Sequence, residues 1–157
     1  MNVEFINPFL EAMLNVLSTM AQLDARPGKP ALKESDVSRG EVSGIIGMIG
    51  EKARGSVAIS FTKPVILDIV KRMLAEEPTV INETVTDLVG ELTNMVSGGA
   101  MKILGEHGYI FDMAIPAVVS GKGHLIHHRS RGKKIILPFS VESGEFFVEL
   151  CFESGQT

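Results

Sequence analysis

Cysteine is nearly missing from this sequence, which has only Cys151 among its 157 residues. A single thiol cannot form an intramolecular disulfide or supply the ligands of a cysteine-based zinc cage. Because Cys151 stands in an apolar run, we expect it to be a small buried hydrophobic residue rather than a nucleophile. A disulfide scaffold is therefore excluded, and a thiol enzyme is not expected.

Long apolar runs are missing as well. No uncharged stretch reaches the length that a helix needs to span a bilayer. No Lys or Arg precedes Arg26, so the N-terminus lacks the positively charged start of a secretory signal peptide. We therefore expect a cytoplasmic protein that does not bind membranes.

Positive charge is in the minority, because 15 Lys and Arg residues stand against 19 Asp and Glu and give a net charge of −4. That balance argues against a general nucleic-acid binder. Five of the basic residues nevertheless fall in residues 122–134, which contain no acid. This stretch is either a solvated hairpin or a patch that helps to attract an acidic partner. It lacks interleaved aromatic residues, so nucleic acid is not expected as a partner.

Two further patterns are weak as site signals. His124, His127 and His128 fall on a segment predicted to be a strand, where the first and third would share a face. No third ligand stands at a metal-binding spacing, so a solvated polar strand is favoured over a metal site. The Gly-rich segments 44–50 and 121–123 lack the Walker spacing with Lys before Ser or Thr, so neither is a phosphate loop.

A chain of this length favours one domain over residues 1–157, large enough to bury a core without disulfides or metals. Hydrophobic periodicity predicts three amphipathic helices. The first covers residues 4–23. Thr62 is expected to cap the second, which has Pro64 in its first turn. Asn82 is expected to cap the third, which runs to about Leu104, where Gly105 or Gly108 stops it.

The other apolar segments predict a sheet of about six strands. These are residues 42–50, 55–61, 110–120, 123–129, 133–141 and 145–153. Pro116 interrupts the third of them, which indicates an edge position or a bend, and residues 26–30 are predicted to be a connection. The order predicts an α+β fold with three helices against one face of an antiparallel sheet. A helix followed by strands occurs twice, which is compatible with an internal pseudo-repeat.

The third helix has a face that the core does not need. At about 100° per residue, Asn94 lies opposite Val85, which belongs to the core stripe. Glu91 is three residues before Asn94 and is therefore its neighbour on the surface, with Asp87 and Gly98 beside them. Such polar residues are most often simply solvated. Asn is a poor helix former, however, so its presence inside a helix slightly favours a functional role. The predicted core stripe is Val85, Leu88, Val89, Leu92, Val96 and Ile103.

Glycines inside this helix are a second signal. Gly90, Gly98 and Gly99 each cost about 1 kcal/mol relative to Ala. Gly98 follows Asn94 by one turn on the same face and removes bulk beside the amide, whereas Gly99 is near the core stripe and is expected to let the sheet approach. A bare surface beside a carboxylate and an amide is what a helix needs when another protein presses against it.

These residues also carry a family resemblance. The pattern Asp87-x-x-x-Glu91-x-x-Asn94, followed by Met95 and small residues, stands well before Pro116 in a Pro-Ala-Val-Val-Ser-Gly context. The combination resembles the CheC/CheX/FliY family of chemotaxis phosphatases, and the CheX type most closely. The resemblance extends over nearly the whole chain, including the Gly-rich first hairpin.

The resemblance implies hydrolysis of the aspartyl phosphate on a phosphorylated CheY-type response regulator. Asn94 would position the attacking water, Glu91 would pair with a lysine of the regulator, and Asp87 and Gly98 would contribute to docking. The protein would need no cofactor of its own, because the regulator would supply the Mg²⁺. In the first helix Glu11 and Asn15 are four residues apart rather than three, so one site per chain is expected.

A different class of function stays open at this point. The same helix could serve a non-catalytic module that binds a response regulator, or a structural piece of the flagellar-switch type. The resemblance also implies a homodimer, which is compatible with a sheet whose edge strand can pair with its copy.

Overall fold

The computed structural model describes residues 3–154, so both ends of the predicted domain, residues 1–2 and 155–157, lie outside the described range. The three predicted helices are present, and a turn of 3₁₀ helix, Val3–Phe5, precedes the first. Within the described range they are α1 (Ile6–Ala21), α2 (Lys63–Leu74) and α3 (Glu83–Glu106).

The ends of α1 and α3 lie within two residues of the predicted ones, and the capping prediction is wrong only at Thr62. Asn82 caps α3 as predicted, since its side chain accepts a hydrogen bond from the amide of Val85 at 3.1 Å. Pro64 lies in the first turn of α2, but the Thr62 hydroxyl does not cap that helix and instead donates to the carbonyl of Glu145 at 2.6 Å. The hydroxyl is thus used to join α2 to the sheet. Helix α3 continues through Gly105, and the chain turns at Gly108, whose φ is +90°.

Eight strands form the sheet in the described range, rather than the predicted six or so. They are β1 (Arg26–Pro27), β2 (Ala31–Leu32), β3 (Val42–Gly50), β4 (Ala53–Phe61), β5 (Phe111–Met113), β6 (Ala117–Ser120), β7 (Lys134–Val141) and β8 (Gly144–Ser154). All pairs are antiparallel, and the order is β1-β7-β8-β4-β3-β5, with β2 also on β7 and β6 also on β3.

Each edge of the sheet is divided into two short strands, which explains the larger number. Residues 26–30, predicted to be only a connection, contribute β1, where Pro27 limits the pairing because it has no N–H to donate. At the other edge Pro116 separates β5 from β6, so its predicted edge position is confirmed. The sheet is therefore six positions wide.

The predicted strand over residues 123–129 is wrong. Within it the structure has only an isolated bridge between Val37 and Leu125. Gly121 and Gly123 have φ of +122° and +68°, and the chain then crosses the sheet as a loop. The side chains of His124 and His128 hydrogen-bond to serines of the sheet, so their polar atoms hold the segment against the sheet instead of pairing it as a strand.

The helices cover one face of the sheet, as predicted. Phe9 of α1 lies 6.0 Å from Phe152 of β8 between ring centroids, and Gly44 of β3 faces Thr93 of α3. The opposite face carries small and polar residues beside a few apolar ones such as Ile45, and segments 33–40 and 121–132 cover it through side-chain hydrogen bonds. Cys151 lies on that face and is buried, as expected, and burial raises the pKa of its thiol.

Two long hairpins, β3–β4 and β7–β8, meet at the β4–β8 pair in the centre of the sheet. Helix α1 precedes the first hairpin in the chain and α3 precedes the second. The internal pseudo-repeat stays a prediction, and this arrangement is compatible with it.

Candidate functional site

Helix α3 presents the predicted polar face to solvent. Asp87, Glu91 and Asn94 are exposed, and Gly98 is half-buried on the same side. Residues three and four apart on a helix are surface neighbours, so the carboxylate of Glu91 lies between Asp87 and Asn94 along one row. The sequence therefore located this surface correctly.

The buried face of α3 is wider than predicted and includes polar residues. Ile103 is only partly buried, and Leu104 takes its place in the core. The pattern missed small and polar residues because hydrophobicity alone identified the stripe. The fully buried members of this face that hydrophobic periodicity missed are Thr93, Ser97 and Ala100.

Thr93 fixes how closely α3 approaches the sheet. A Cβ atom on Gly44 of β3 would lie 1.9 Å from Thr93 Oγ1 and 3.3 Å from Val89 Cγ1. Thr93 also donates a hydrogen bond of 2.7 Å to the carbonyl of Val89, so its hydroxyl is satisfied inside the helix. The glycine thus lets the helix backbone come down onto β3, and Asn94 is the next residue on the outside.

The three glycines of α3 have different surroundings. A Cβ on Gly90 would make ordinary contact with Val118 at 3.5 Å, and one on Gly99 would meet Ala12 Cβ at 3.2 Å. Gly99 therefore accommodates α1 rather than the sheet, which corrects the sequence-based expectation. A Cβ on Gly98 would meet nothing within 4 Å among the described residues. The fold itself does not need a glycine at position 98.

A groove of about 710 Å³ runs between α1 and α3 beside this surface. Glu11 and Asn15 of α1, the pair whose spacing differs from the family pattern, are exposed and line the groove together with Lys102 of α3. The two residues lie one helical turn apart rather than at the three-residue spacing of Glu91 and Asn94. The structure thus gives no reason to assign α1 a second acid–amide site.

The histidines are divided between two environments. His128 is buried, with 1% of its side chain exposed, whereas the side chain of His127 is 71% exposed. His124 Nδ1 donates to the carbonyl of Gly121 at 2.7 Å, so its Nε2 is left to accept from the Ser43 hydroxyl, also at 2.7 Å. Between residues 3 and 154 no group of three or more His, Cys, Asp or Glu side chains is arranged to hold a metal ion.

Residues 42–140 match the protein family described as chemotaxis phosphatase CheX. This is more than half of the chain, and the chain belongs to that family. Among curated proteins it is similar to the CheY-P phosphatase CheX of Thermotoga maritima, with 30% identity over 161 residues and 99% of each chain covered. Across the described residues the structure has no helix of the length and hydropathy that crossing a bilayer requires.

Solved structures agree with this assignment. The fold is similar to that of a CheC-like superfamily protein from Shewanella sp. PV-4, with a TM-score of 0.91, 57% identity, and 98% of this chain and 99% of that chain covered. It is also similar to the chain of a CheX–CheY–BeF3–Mg²⁺ complex from Borrelia burgdorferi, with a TM-score of 0.81, 26% identity, and 97% and 99% of the two chains covered.

Proposed function

We propose that this protein hydrolyses the aspartyl phosphate of a phosphorylated CheY-type response regulator. The observation that carries the proposal is the exposed pair of Glu91 and Asn94 on α3, in a chain that belongs to a family of phosphatases. The Thermotoga maritima relative is named for this activity, and the Borrelia burgdorferi relative was solved in a complex with CheY.

Asn94 would position the attacking water. An acyl phosphate is already activated, so its hydrolysis mainly requires an in-line water and stabilised charge. A neutral amide is too weak a base to take a proton at neutral pH, but its oxygen accepts and its nitrogen donates hydrogen bonds. Asn94 therefore contributes orientation of the water rather than proton transfer.

Glu91 would anchor the partner, and Asp87 and Gly98 would contribute to docking. Glu91 is one turn from the amide, so a salt bridge to a lysine of the regulator would fix the position of Asn94 over the phosphate. Gly98 leaves open space beside Asn94, which is where the surface of the regulator would approach. The Mg²⁺ and the lysine would arrive on the regulator, so the site would be shared between two proteins.

The experiment is a turnover measurement with a phosphorylated regulator in large excess over the protein. The wild type is expected to release many equivalents of phosphate, whereas a binding module would change the decay only stoichiometrically. Asn94→Ala is expected to abolish the stimulated release without destabilising the fold, because Asn94 is exposed and alanine is the better helix former. Stoichiometric behaviour of the wild type would favour the non-catalytic binding or flagellar-switch-type module, and full activity of Asn94→Ala would refute the proposed mechanism.

We further propose that residues 1–157 form one domain, that the protein acts in the cytoplasm within two-component signalling, and that it is a homodimer. One cluster of buried side chains joins the three helices to the sheet, which supports a single domain. The β5–β6 edge supports the dimer, since Ile110 and Ile115 there are 81% and 91% exposed. Apolar exposure at a sheet edge favours pairing with another chain.

A further inference from the structure

Strand β3 contains three glycines, and the fold accounts for two of them. A Cβ at Gly44 would collide with Thr93, and a Cβ at Gly50 would lie 2.4 Å from the carbonyl oxygen of Ile110. At Gly47 a Cβ would meet nothing within 4 Å among the described residues. Glycine in a strand weakens it and often marks a place where a ligand approaches closely. Gly47 therefore requires an explanation outside the packing of the fold.

Gly47 lies in a cleft on the face of the sheet that the helices do not cover. The cleft has a volume of about 530 Å³, within the range of small-molecule sites. Ile45 and Ile49 flank Gly47 on this face, and Ile49 is 67% exposed. The glycine leaves bare backbone between these two apolar side chains. We call this space the Gly47 cleft; its floor is Ile45, Gly47 and Ile49, and its wall is the loop of residues 127–131.

The wall of the Gly47 cleft is held in place by a buried polar network. Ser56 is the register partner of Gly47, and its Oγ is hydrogen-bonded to His128 Nδ1 at 2.5 Å. His128 Nε2 is bonded to the Glu149 carboxylate at 3.1 Å, and Lys33 donates to the same carboxylate at 2.6 Å. A network of this kind rigidifies its members when all are satisfied. It fixes the residues after His128 at the mouth of the cleft.

Those residues are cationic. Arg129 and Arg131 line the cleft, and across residues 3–154 neither side chain belongs to an ion pair. Arg54 also lines it but is paired with Glu153 at 2.6 Å. With histidine neutral, the lining therefore carries three positive charges and one negative, in a chain with a net charge of −4. Guanidinium groups that lie outside ion-pair distance of a carboxylate can bind phosphate oxygens in a bidentate manner.

We propose that the Gly47 cleft is a binding site for a phosphate-bearing small molecule with a flat ring, of the nucleoside diphosphate class. The ring would lie on the bare backbone at Gly47 between Ile45 and Ile49. The phosphates would meet Arg129 and Arg131 at the mouth. The site is on the opposite face of the sheet from α3, and it is independent of the phosphatase surface.

The test is calorimetric titration of the intact protein with ADP in the absence of metal. Saturable binding with a Kd below about 1 mM is expected. Adenosine alone and inorganic phosphate alone are each expected to bind at least tenfold more weakly, because each uses only one part of the cleft. Gly47→Leu, whose Cβ would meet nothing within 4 Å among the described residues, is expected to abolish ADP binding while leaving dephosphorylation of the regulator unchanged.

Matched variants distinguish binding in the Gly47 cleft from nonspecific attraction of ADP to the basic stretch. Arg129→Ala and Arg131→Ala are each expected to weaken ADP binding at least tenfold, whereas Lys122→Ala and Lys133→Ala, which lie in the same basic stretch outside the cleft, are expected to leave it unchanged. The proposal is overturned if ADP does not bind saturably, if phosphate alone binds as well, or if Gly47→Leu still binds. Equal losses in the Lys variants, or a changed oligomeric state in Gly47→Leu, would also overturn it.

Discussion

The hydroxyl of Thr93 fills the space beside Gly44 that a side chain at position 44 would need, since a Cβ on the glycine would lie 1.9 Å from the hydroxyl oxygen. The glycine thereby sets the height of α3 above β3. Asn94 follows Thr93 directly, so the position of the proposed water-binding amide depends on a contact in the core.

We predict that Gly44→Ala destabilises the fold by about 1–3 kcal/mol, because an added methyl overpacks a closely packed contact. Phosphate release from the regulator should fall as well, although the residue is on the far side of the helix from Asn94. Denaturant unfolding combined with the turnover measurement tests both effects. In the double variant with Thr93→Ala, part of the loss should be recovered; strictly additive losses would show that the two positions do not interact.

Gly98 offers a test in which stability and activity are expected to change in opposite directions. Gly98→Ala should raise the free energy of unfolding by up to about 1 kcal/mol, since alanine favours a helix and the space is open. Activity should fall because the methyl group stands where the regulator approaches. Gly105→Ala is the matched control, because its Cβ also meets nothing within 4 Å among the described residues and it lies two turns further along α3. Equal activity of the two variants would remove Gly98 from the docking surface.

Glu91 should act through affinity. Glu91→Lys is expected to raise the Kd for the phosphorylated regulator at least tenfold, about 1.4 kcal/mol, because it places two cations opposite each other. Glu106→Lys makes the same charge change at the far end of α3 and should have little effect on affinity. Binding is measured by titration at low salt and repeated at high salt. If the Kd of Glu91→Lys equals that of the wild type, Glu91 is not the anchor.

The network around Glu149 should make stability depend on pH. Burial opposes ionisation of Glu149, but hydrogen bonds from His128 and Lys33 outweigh it, so the pKa of the carboxyl lies below its ordinary value of 4.5. As the pH falls, the Glu149 carboxyl is therefore protonated at a higher pH in the unfolded chain than in the folded protein. The stability that Glu149 supplies is lost as the pH falls below about 4.5. The difference in unfolding free energy between the wild type and Glu149→Gln should shrink from roughly pH 5 to pH 3.

Removal of one partner from this buried network tests how much the network contributes to the free energy of unfolding at neutral pH. Lys33→Met should destabilise the protein by about 3–5 kcal/mol, since the Glu149 carboxylate would be left without its buried cation. Lys71→Met is the control, because its pair with Glu77 is exposed to solvent on both sides. Similar unfolding midpoints of the two variants would contradict the importance of the buried pair.

The proposed dimer has a specific test at the β5–β6 edge. Ile115→Lys should convert a dimer into a monomer, because it places a charge on an exposed apolar edge. Light scattering after size-exclusion chromatography measures the mass. Leu32→Lys introduces the same charge at the opposite edge of the sheet and should leave the mass unchanged. A monomeric wild type would refute the dimer.

The sequence by itself determined the helices and the polar face of α3. Periodicity, the Asn82 cap and Pro64 are local signals, and local hydrogen bonds and side-chain entropy decide them. The same is true of the row formed by Asp87, Glu91 and Asn94, because neighbours on a helix follow from its pitch alone. This is why the candidate site could be located without a structure, although its chemistry depends on the family and on a partner.

Only the tertiary structure decided which segment covers the face of the sheet opposite the helices. Residues 123–129 have a strand-like composition, but the side chains of His124 and His128 find partners on Ser43 and Ser56, which lie far away in the chain. The different reasons for Gly44 and Gly47 were also invisible in the sequence, where both are glycines in one apolar strand. Contacts between distant segments distinguish them: one glycine faces a helix and the other an open cleft. Long-range packing cannot be read from a local pattern, because loop closure and side-chain partners are set by the whole fold.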